Sequence, residues 1–240
     1  MTFGISPPVP STASALATGC AEIPLVHADE CCLVVDKPAG LLSVPGRGPE
    51  KQDCAAARLQ ATFPDALVVH RLDMATSGLL LFARGLAAQR ALSAAFERGD
   101  VRKRYQAVVQ GRMTPPEARG PTQEWEGEPG WGLVDLPLRA DWPQRPLQKV
   151  DPEGRASRTL WRILAHEGDA TRVELAPLTG RTHQLRVHLL ALGHPILGDA
   201  LYGDPDTQAR SPRLLLHASQ LEIAHPQRGE RYAWESQAPF

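Results

Sequence analysis

The chain has 240 residues, of which 42% are hydrophobic and 22% charged, as in an ordinary globular protein. Its 26 Lys and Arg residues nearly balance 27 Asp and Glu residues, and the net charge of -1 excludes a protein that coats nucleic acid through bulk positive charge. No apolar stretch approaches the ~18 residues that a membrane-spanning helix needs, so we expect no membrane partner.

The N-terminal segment, residues 1–20, is rich in Pro, Ser, Thr and Ala and has neither the basic start nor the apolar core of a signal peptide. We therefore expect a disordered leader, a cytoplasmic location and a single folded domain over residues 21–240. All four cysteines lie in the first quarter of the chain. The adjacent Cys31 and Cys32 are expected to point to opposite faces of a strand and to be reduced structural thiols rather than zinc ligands.

Up to residue 100, the pattern predicts four strands and two helices. The apolar run at 79–83 does not alternate, which is typical of a strand buried on both faces. Apolar residues at helical spacing, followed by Gly99, predict the clearest helix. The predicted strands are 21–26, 31–36, 67–70 and 79–83, and the predicted helices are 52–63 and 86–98.

Beyond residue 100, strands predominate. Proline and tryptophan are dense over 111–151, and residues of about 113–131 are predicted to form an exposed insertion. One helix is predicted to begin at Thr182, whose hydroxyl suits an N-terminal cap. Many strands, few helices and no regular βαβ alternation predict an α+β fold with a mixed, mainly antiparallel sheet and flanking helices. The predicted strands are 105–110, 159–165, 171–175, 213–217 and 220–224, and the helix is 182–192.

A polar, charged segment at residues 70–78 lies between two apolar strands. Loops held by a rigid sheet are common positions for reactive groups, but a structural turn in which Asp73, Thr76 and Ser77 bond their own backbone fits equally well. A serine hydrolase built from Ser77, His70 and Asp73 is disfavoured because the Gly-x-Ser-x-Gly elbow is absent.

A second polar block, residues 178–188, surrounds the start of the last predicted helix. His183 and His188 are separated by about 140° around a helix, and lie on opposite faces of a strand, so they do not readily share a metal. The chain also lacks a His-Glu-x-x-His pair, a phosphate-binding loop and a dinucleotide fingerprint. We therefore expect neither a metal nor a cofactor.

These blocks resemble the RluA-type pseudouridine synthases, which isomerise uridine to pseudouridine within structured RNA. The segment from His70 to Gly78 is similar to the family signature, and matching blocks follow in the expected order over residues of about 21–235. Segments 40–47, 132–138 and 141–143 narrow the match to the dual-specificity founding member, which acts on a tRNA anticodon-loop uridine and on a 23S ribosomal RNA hairpin uridine. The other blocks are residues 36–40, 103–105, 178–188, 193–199 with Tyr202, 216–218 and 225–226.

The resemblance implies a pseudouridine synthase fold with a central catalytic cleft and no cofactor. It implies that Asp73 is the nucleophile or base, that Arg181 is the cation beside it, and that Tyr105 stacks on the flipped uracil. Phosphate contacts and pocket contacts are implied for a larger set: Arg71, His70, Leu216, Lys103, Arg102, Arg104 and Thr76.

The resemblance also implies the partners. They are structured RNAs, namely a tRNA anticodon stem-loop and a 23S ribosomal RNA hairpin, and not DNA; we expect a monomer without an S4 RNA-binding module. The acidic run at residues 124–128 of the predicted insertion is expected to point away from the RNA. The alternative hypothesis is a non-catalytic RNA-binding or RNA-chaperone module on the same fold.

Overall fold

The computed structural model describes residues 22–116, 123–125 and 128–240. The predicted leader and the centre of the predicted insertion lie outside the described residues. No helix within these ranges is long and apolar enough to cross a membrane.

Strands outnumber helices in the described part of the chain. The strands are β1 (Leu25–Ala28), β2 (Cys32–Lys37), β3 (Ala66–Val68), β4 (Ser77–Arg84), β5 (Arg102–Gln110), β6 (Gln123–Trp125), β7 (Glu128–Asp135), β8 (Leu138–Ala140), β9 (Gln148–Val150), β10 (Arg158–Glu167), β11 (Ala170–Pro177), β12 (Leu216–Ala224) and β13 (Arg231–Glu235). The α-helices are α1 (Ala55–Thr62), α2 (Gly85–Arg98), α3 (Gln184–Ala191) and α4 (Pro205–Ala209).

Eleven strands form one sheet in the order β1-β2-β4-β12-β5-β11-β10-β7-β6, with β3 beside β4 and β13 beside β12. β4 and β12 run parallel. The other named strand pairs of the described chain are antiparallel, including the separate hairpin of β8 and β9. The α+β fold with a mixed, mainly antiparallel sheet is therefore confirmed.

β4 is covered on both faces, which explains its unbroken apolar run. Leu80 and Phe82 face a cluster that α1 covers, whereas Leu79 and Leu81 face a second cluster that α2 covers. This alternation follows from the two-residue period of strand side chains. The burial predicted for residues 79–83 is confirmed, as is the helix that ends at Gly99, which adopts the left-handed conformation.

Two helices begin later than predicted. α1 begins at Ala55 rather than residue 52, because Cys54 is its cap and accepts a hydrogen bond from the N–H of Ala57 at 3.3 Å. α3 begins at Gln184 rather than Thr182. His183 holds its cap position in the left-handed conformation, with a φ of 54° and no side-chain cap.

The predicted break between two C-terminal strands is wrong. Residues Leu216–Ala224 form the single strand β12, and the break corresponds to a register shift between Ala218 and Gln220 opposite β5. A bulge interrupts the apolar pattern but leaves the hydrogen-bonded ladder on both sides of it. The prediction missed β13, which pairs with β12.

The predicted opposite orientation of Cys31 and Cys32 is also wrong. β2 begins at Cys32, Cys31 belongs to the preceding turn, and both side chains contribute to the same buried cluster. Both thiols are free.

The prediction of an exposed insertion at 113–131 is wrong for part of the described range: Thr114, Pro115 and Pro129 are exposed, but other residues are buried in the sheet. β6 and β7 pair and extend the sheet at its edge. Met113 and Trp131 are buried, with 2% and 0% of their surface exposed. The ring of Trp131 contacts Trp125 edge-on and lies beneath the guanidinium groups of Arg104 and Arg162. Aromatic and cationic side chains therefore give this proline-rich segment packing contacts of its own.

Candidate active site

A cleft of about 1150 Å³ lies between the segment before β4, the end of α2, β5 and the start of α3. The sequence-predicted site residues line this cleft with one exception, Arg104. Those that line it are His70, Arg71, Asp73, Thr76, Arg102, Lys103, Tyr105, Arg181 and Leu216. The fold therefore brings together residues that are far apart in the sequence.

Two buried polar side chains hold the loop that carries Asp73. The Ser43 hydroxyl donates to the carbonyl of Leu72 at 2.7 Å and accepts from the N–H of the same residue at 3.0 Å. Lys37, which is 0% exposed, donates through Nζ to the carbonyl of Met74 at 3.2 Å and to two carbonyls of its own turn. The residues just before and after Asp73 are thus fixed by the block at 36–43.

Gly78 ends the signature segment at a point where two strands touch. Its φ is 109°, and a Cβ at this position would lie 2.3 Å from the carbonyl oxygen of Ala218 in β12. Only glycine fits such an approach of two backbones. The parallel contact of β4 with β12, which places Asp73 beside β12, therefore depends on Gly78.

Ser77 has a structural position rather than a catalytic one. Its hydroxyl is buried, bonds to Nδ1 of His217 at 2.8 Å and accepts from Nη2 of Arg213 at 2.5 Å. The histidine that a hydrolase would take from the same loop, His70, bonds instead to the N–H of Leu81. The geometry thus also disfavours the serine hydrolase.

The cation that faces Asp73 is Arg186, and the expected pairing with Arg181 is wrong. Nη1 of Arg186 lies 3.7 Å from Oδ2 of Asp73, and Nε2 of His183 lies 3.9 Å from the same oxygen. Arg181 lines the cleft, but its Nε donates to the carbonyl of Ala156 at 3.3 Å. The loop before α3 carries Arg181 to the rim, while the first turn of α3 directs Arg186 inward.

Asp199 fixes Arg186 in place. Nε and Nη2 of Arg186 donate to the two carboxylate oxygens of Asp199 at 2.8 and 2.5 Å. Oδ1 of Asp199 also accepts from the N–H groups of Leu201 and Tyr202. Burial alone would lower the pKa of Arg186, but the hydrogen bonds and charge of Asp199, together with the charge of Asp73, raise it. The guanidinium is therefore charged and pre-oriented toward Asp73.

His183 joins this group through Tyr202. Its Nδ1 and the Tyr202 hydroxyl are 2.7 Å apart, and that hydroxyl accepts from the N–H of Gln148 at 2.8 Å. Burial lowers the pKa of His183, and the nearby Asp73 carboxylate opposes that effect. The His183 ring is thus held next to Asp73 by Tyr202, whose hydroxyl is held in turn by the backbone of Gln148.

Tyr105 lies in the cleft on β5. It packs against buried clusters on both sides of the site and is paired in register with Ala218 of β12 and Leu175 of β11. Burial and the negative charge of Asp73 raise the pKa of Tyr105, so the side chain is a neutral phenol. An aromatic face and a hydroxyl donor are thus available beside the carboxylate.

His70 and Lys103 pack on Phe96 at the end of α2. The His70 ring stacks on Phe96 at 4.4 Å, and its Nε2 accepts from the N–H of Leu81 at 3.0 Å. Burial, with a smaller effect from Lys103, lowers the pKa of His70 to about 3, so the ring is neutral. Nζ of Lys103 lies 5.8 Å from the centre of the Phe96 ring. His70 therefore supports the cleft wall, with one nitrogen committed to the backbone.

The rim and floor of the cleft differ in polarity. Arg71 and Arg102 are exposed on the rim, and Arg102 contacts Glu222 at 3.4 Å. Thr76 and Leu216 are each 3% exposed and lie in the interior. The rim of the cleft is thus basic, and its floor is less polar.

Arg104 does not reach the cleft, contrary to the predicted phosphate contact. It contacts Glu128 and Glu174 and stacks on Trp125 and Trp131. Alternation along β5 puts it on the opposite face from Lys103 and Tyr105. Glu128 also pairs with Arg162, so this end of the predicted acidic run is committed to arginines of the sheet.

Sequence reasoning missed five residues of the site: Lys37, His183, Arg186, Asp199 and Tyr202. All five lie inside blocks that matched the family pattern, so position alone was a signal. The roles of Asp199 and Tyr202 follow only from the structure, in which they contact Arg186 and His183.

Residues with metal-ligand chemistry cluster away from the cleft, at the β1–β2 turn. Within the described ranges, one such group contains His27, Asp29 and Cys32, and a second contains Glu30, Cys31 and His225. Nδ1 of His225 accepts two backbone N–H groups, and its Nε2 lies 3.3 Å from Oδ2 of Asp29. Hydrogen bonds to the Asp29 carboxylate organise this turn.

Comparison with known proteins gives one family. The model of the RNA pseudouridylate synthase family matches residues 32–191. The protein of Yersinia pestis called dual-specificity RNA pseudouridine synthase RluA is 46% identical over 218 residues, which are 90% of this chain and 99% of that protein. The protein of the same name from Escherichia coli K12 is 47% identical over 218 residues, covering 90% and 93%.

Solved structures agree with these relatives. Human RNA pseudouridylate synthase domain containing 1 superposes with a TM-score of 0.73 at 29% identity, over 94% of this chain and 87% of that one. Human RNA pseudouridylate synthase domain containing 4 gives a TM-score of 0.68 at 25% identity, over 90% and 88%.

Proposed function

This chain belongs to the RNA pseudouridylate synthase family, whose members isomerise uridine to pseudouridine in RNA, and we propose that it modifies uridines in structured RNA loops with Asp73 as the reacting carboxylate. The observation that carries the proposal is the position of Asp73. Its carboxylate lies in the cleft, faced by Arg186 at 3.7 Å and by His183 at 3.9 Å, with Tyr105 lining the same cleft.

The reaction needs one carboxylate and no water. The bond from ribose C1′ to uracil N1 breaks, the base turns while bound, and a bond from C1′ to C5 forms; C5 then loses a proton and N1 gains one. Glycoside hydrolysis, in contrast, uses two carboxylates and consumes water. The other carboxylate of this group, Asp199, is 1% exposed and occupied by Arg186, which leaves Asp73 for the chemistry.

Arg186 supports either role of Asp73. As a nucleophile, Asp73 would attack the sugar or the uracil ring; as a base, it would remove a proton. A guanidinium at 3.7 Å places a fixed positive charge beside the carboxylate in both cases, and its hydrogen bonds to Asp199 keep it from moving as charge changes. Arg181, on the rim, is assigned to the RNA backbone instead.

Tyr105 is assigned to the base. Its ring would give the flipped uracil a stacking surface, and its neutral hydroxyl would lie near the C5 proton that must leave. Thr76 and Leu216 would line the pocket that the uracil enters.

The target base must leave its stack before it can react. Flipping costs about a few kcal/mol and costs less for a loop nucleotide, which favours loops as substrates. Arg71, Arg102, Arg181 and Lys103 line the rim or wall and are assigned to the displaced strand and its phosphates, which position RNA without reading its sequence. His70 contributes by supporting Lys103 and Phe96.

Two RNA targets are proposed from the relatives. The proteins at 46–47% identity over 90% of this chain carry the name dual-specificity synthase. We assign the same pair of substrates, a tRNA anticodon loop and a 23S ribosomal RNA hairpin, and hence a cytoplasmic site of action. A net charge of -1 is consistent with recognition through loop shape and splayed bases rather than bulk attraction.

Tritium release from C5-labelled uridine tests the proposal. The substrates are a tRNA transcript and a 23S hairpin transcript, and the proteins are wild type, Asp73→Asn and Asp169→Asn. Asp169 is a matched control because its side chain is 80% exposed in the β10–β11 turn. Wild type and Asp169→Asn should release tritium from both RNAs, and Asp73→Asn from neither while still binding them.

Other outcomes have distinct meanings. Release from one RNA alone would remove the dual specificity and keep the synthase. No release from any uridine-containing RNA, with binding retained, would favour the non-catalytic RNA-binding module.

A further inference from the structure

Residues 141–147 form the tip of the β8–β9 hairpin, outside the set of residues that line the cleft. This tip contains the segment 141–143 that the sequence analysis singled out. Trp142 is 64% exposed, more than any other large hydrophobic side chain in the described ranges. Tryptophan is the side chain most enriched at binding surfaces, because it offers a large rigid face.

The tip is ordered by its own backbone rather than by packing of Trp142. The N–H of Asp141 donates to the carbonyl of Leu147 at 2.9 Å, and the N–H of Gln144 donates to the carbonyl of Asp141 at 3.0 Å. Residues Trp142–Gln144 form a turn of 3-10 helix. The indole is therefore displayed on a fixed support, which limits the entropy lost when a partner binds.

Arg145 completes the surface. Its guanidinium carbon lies 3.1 Å from the centre of the Trp142 ring, and it is exposed. It makes no ion pair with any carboxylate of the described chain, whereas its hairpin neighbours Arg139 and Lys149 do. One side of the indole thus carries an unneutralised cation.

The hairpin is linked to the proposed reacting group at the first residue of β9, next to the tip. The N–H of Gln148 donates to the Tyr202 hydroxyl at 2.8 Å, and the same hydroxyl bonds to Nδ1 of His183. His183 in turn lies 3.9 Å from Asp73. Three contacts in series therefore set the position of the tip relative to the site of isomerisation.

We propose that Trp142 and Arg145 form a platform for one unpaired base of the substrate RNA, at a nucleotide that flanks the isomerised uridine. Trp142 stacks on that base, and Arg145 neutralises an adjacent phosphate. Stacking of splayed bases on aromatic and guanidinium planes is the general mode of single-stranded RNA recognition. The inference rests on the proposed function, because it needs an RNA loop in the cleft.

Binding measured in the Asp73→Asn background tests the platform. Trp142→Ala should raise the Kd for the RNA hairpin about tenfold, the loss expected for one stacked base. Trp142→Phe should retain most of the affinity. Leu86→Ala is the matched control, since Leu86 is 63% exposed and lies outside the cleft, and it should leave the Kd unchanged.

Kinetics separate binding from chemistry. With Asp73 present and RNA saturating, Trp142→Ala should isomerise at the wild-type single-turnover rate and lose rate only below saturation. Arg145→Gln should weaken binding mainly at low salt, because it removes a phosphate contact.

Abasic substitution locates the stacked base. Each loop nucleotide that flanks the target is replaced in turn by an abasic site, and Kd is measured with Asp73→Asn and with the Asp73→Asn, Trp142→Ala double variant. At one position, the abasic site should raise the Kd of Asp73→Asn and leave the Kd of the double variant unchanged. The base and the indole form one contact, so losing both costs no more than losing either.

Two results would overturn the platform: a Kd for Trp142→Ala equal to that of the Leu86→Ala control, or losses that add at every abasic position. Both can occur while wild type isomerises its RNA normally. Failure of the proposed function is a separate result, namely no tritium release by the wild type itself.

Discussion

Asp199 binds Arg186 through two hydrogen bonds, and the remaining terminal nitrogen of Arg186, Nη1, faces the carboxylate of Asp73 at 3.7 Å. The two side chains are 1% and 4% exposed. Water therefore contributes little to holding this cation, and its direction is set by the protein.

Replacing the buried carboxylate should cost both stability and rate. Asp199→Asn removes the hydrogen-bonded counter-ion of the buried Arg186 and leaves it only the weaker contact with Asp73 at 3.7 Å, which we expect to lower the free energy of unfolding by about 3 kcal/mol. The guanidinium would also lose the orientation that Asp199 gives it and would turn further toward Asp73, so kcat should fall. Urea denaturation and tritium release measure the two effects; unchanged values for both would contradict the role of Asp199.

The two arginines of the 178–188 block should respond differently to lysine. Arg186→Lys removes the two parallel hydrogen bonds to Asp199 and should reduce kcat by about 100-fold or more. Arg181→Lys retains a cation at the rim and should change kcat by less than about tenfold, with the effect mainly in RNA affinity. The reverse order would show that Arg181 is the partner of Asp73 during turnover.

The phenol of Tyr105 should matter for rate and not for affinity. Tyr105→Phe preserves the ring and its stacking, so the Kd for RNA should stay within about twofold, while loss of the proton-bearing group should reduce single-turnover rate by at least ~100-fold. Filter binding and tritium release are compared on one hairpin. Equal losses in binding and in rate would contradict this assignment.

Gly78→Ala should destabilise the fold strongly. Its Cβ would meet the backbone of Ala218 at 2.3 Å in a conformation with φ of 109°, and we expect a loss of at least about 3 kcal/mol. Gly180→Ala is the control, because no atom lies within 4 Å of its Cβ position, and it should change stability by less than about 0.5 kcal/mol. Thermal unfolding of both variants gives the comparison.

His70 should make the protein sensitive to acid. Its pKa is lowered from 6.5 to about 3 on folding, so the unfolded chain binds more protons between these values and stability falls as pH decreases from 6.5. The slope attributable to this group is at most about 1.4 kcal/mol per pH unit. His70→Gln keeps an acceptor for the N–H of Leu81 and should lose less stability than wild type between pH 6.5 and 4. Parallel curves of unfolding free energy against pH for the two proteins would contradict the assignment.

Part of the site was predictable because it lies on or directly before apolar strands. The segment with Asp73 and the strand with Tyr105 were placed from apolar patterns and the family signature, and the cleft contains both. The position of Arg104 outside the cleft was predictable in principle, because alternation along β5 puts its side chain on the opposite face from Lys103 and Tyr105. The basic cluster was instead interpreted as one surface.

The choice between Arg181 and Arg186 could not be made from the sequence. It depends on His183, a non-glycine residue in the left-handed conformation, and on Gln184, whose Oε1 accepts from the N–H of Arg181. These local bonds turn the chain before α3. Propensities favour Thr182 as the cap, and tertiary contacts override them.

The place of β12 in the sheet has a consequence for protein synthesis. β12 lies between β4 and β5 although it is made long after both, and it supplies Leu216 to the cleft and the backbone against which Gly78 is seated. Until residue 224 has emerged from the ribosome, β4 and β5 therefore lack the strand that joins them, and the cleft between them is incomplete. The cleft can therefore be completed only after β12 has been synthesised, late in translation.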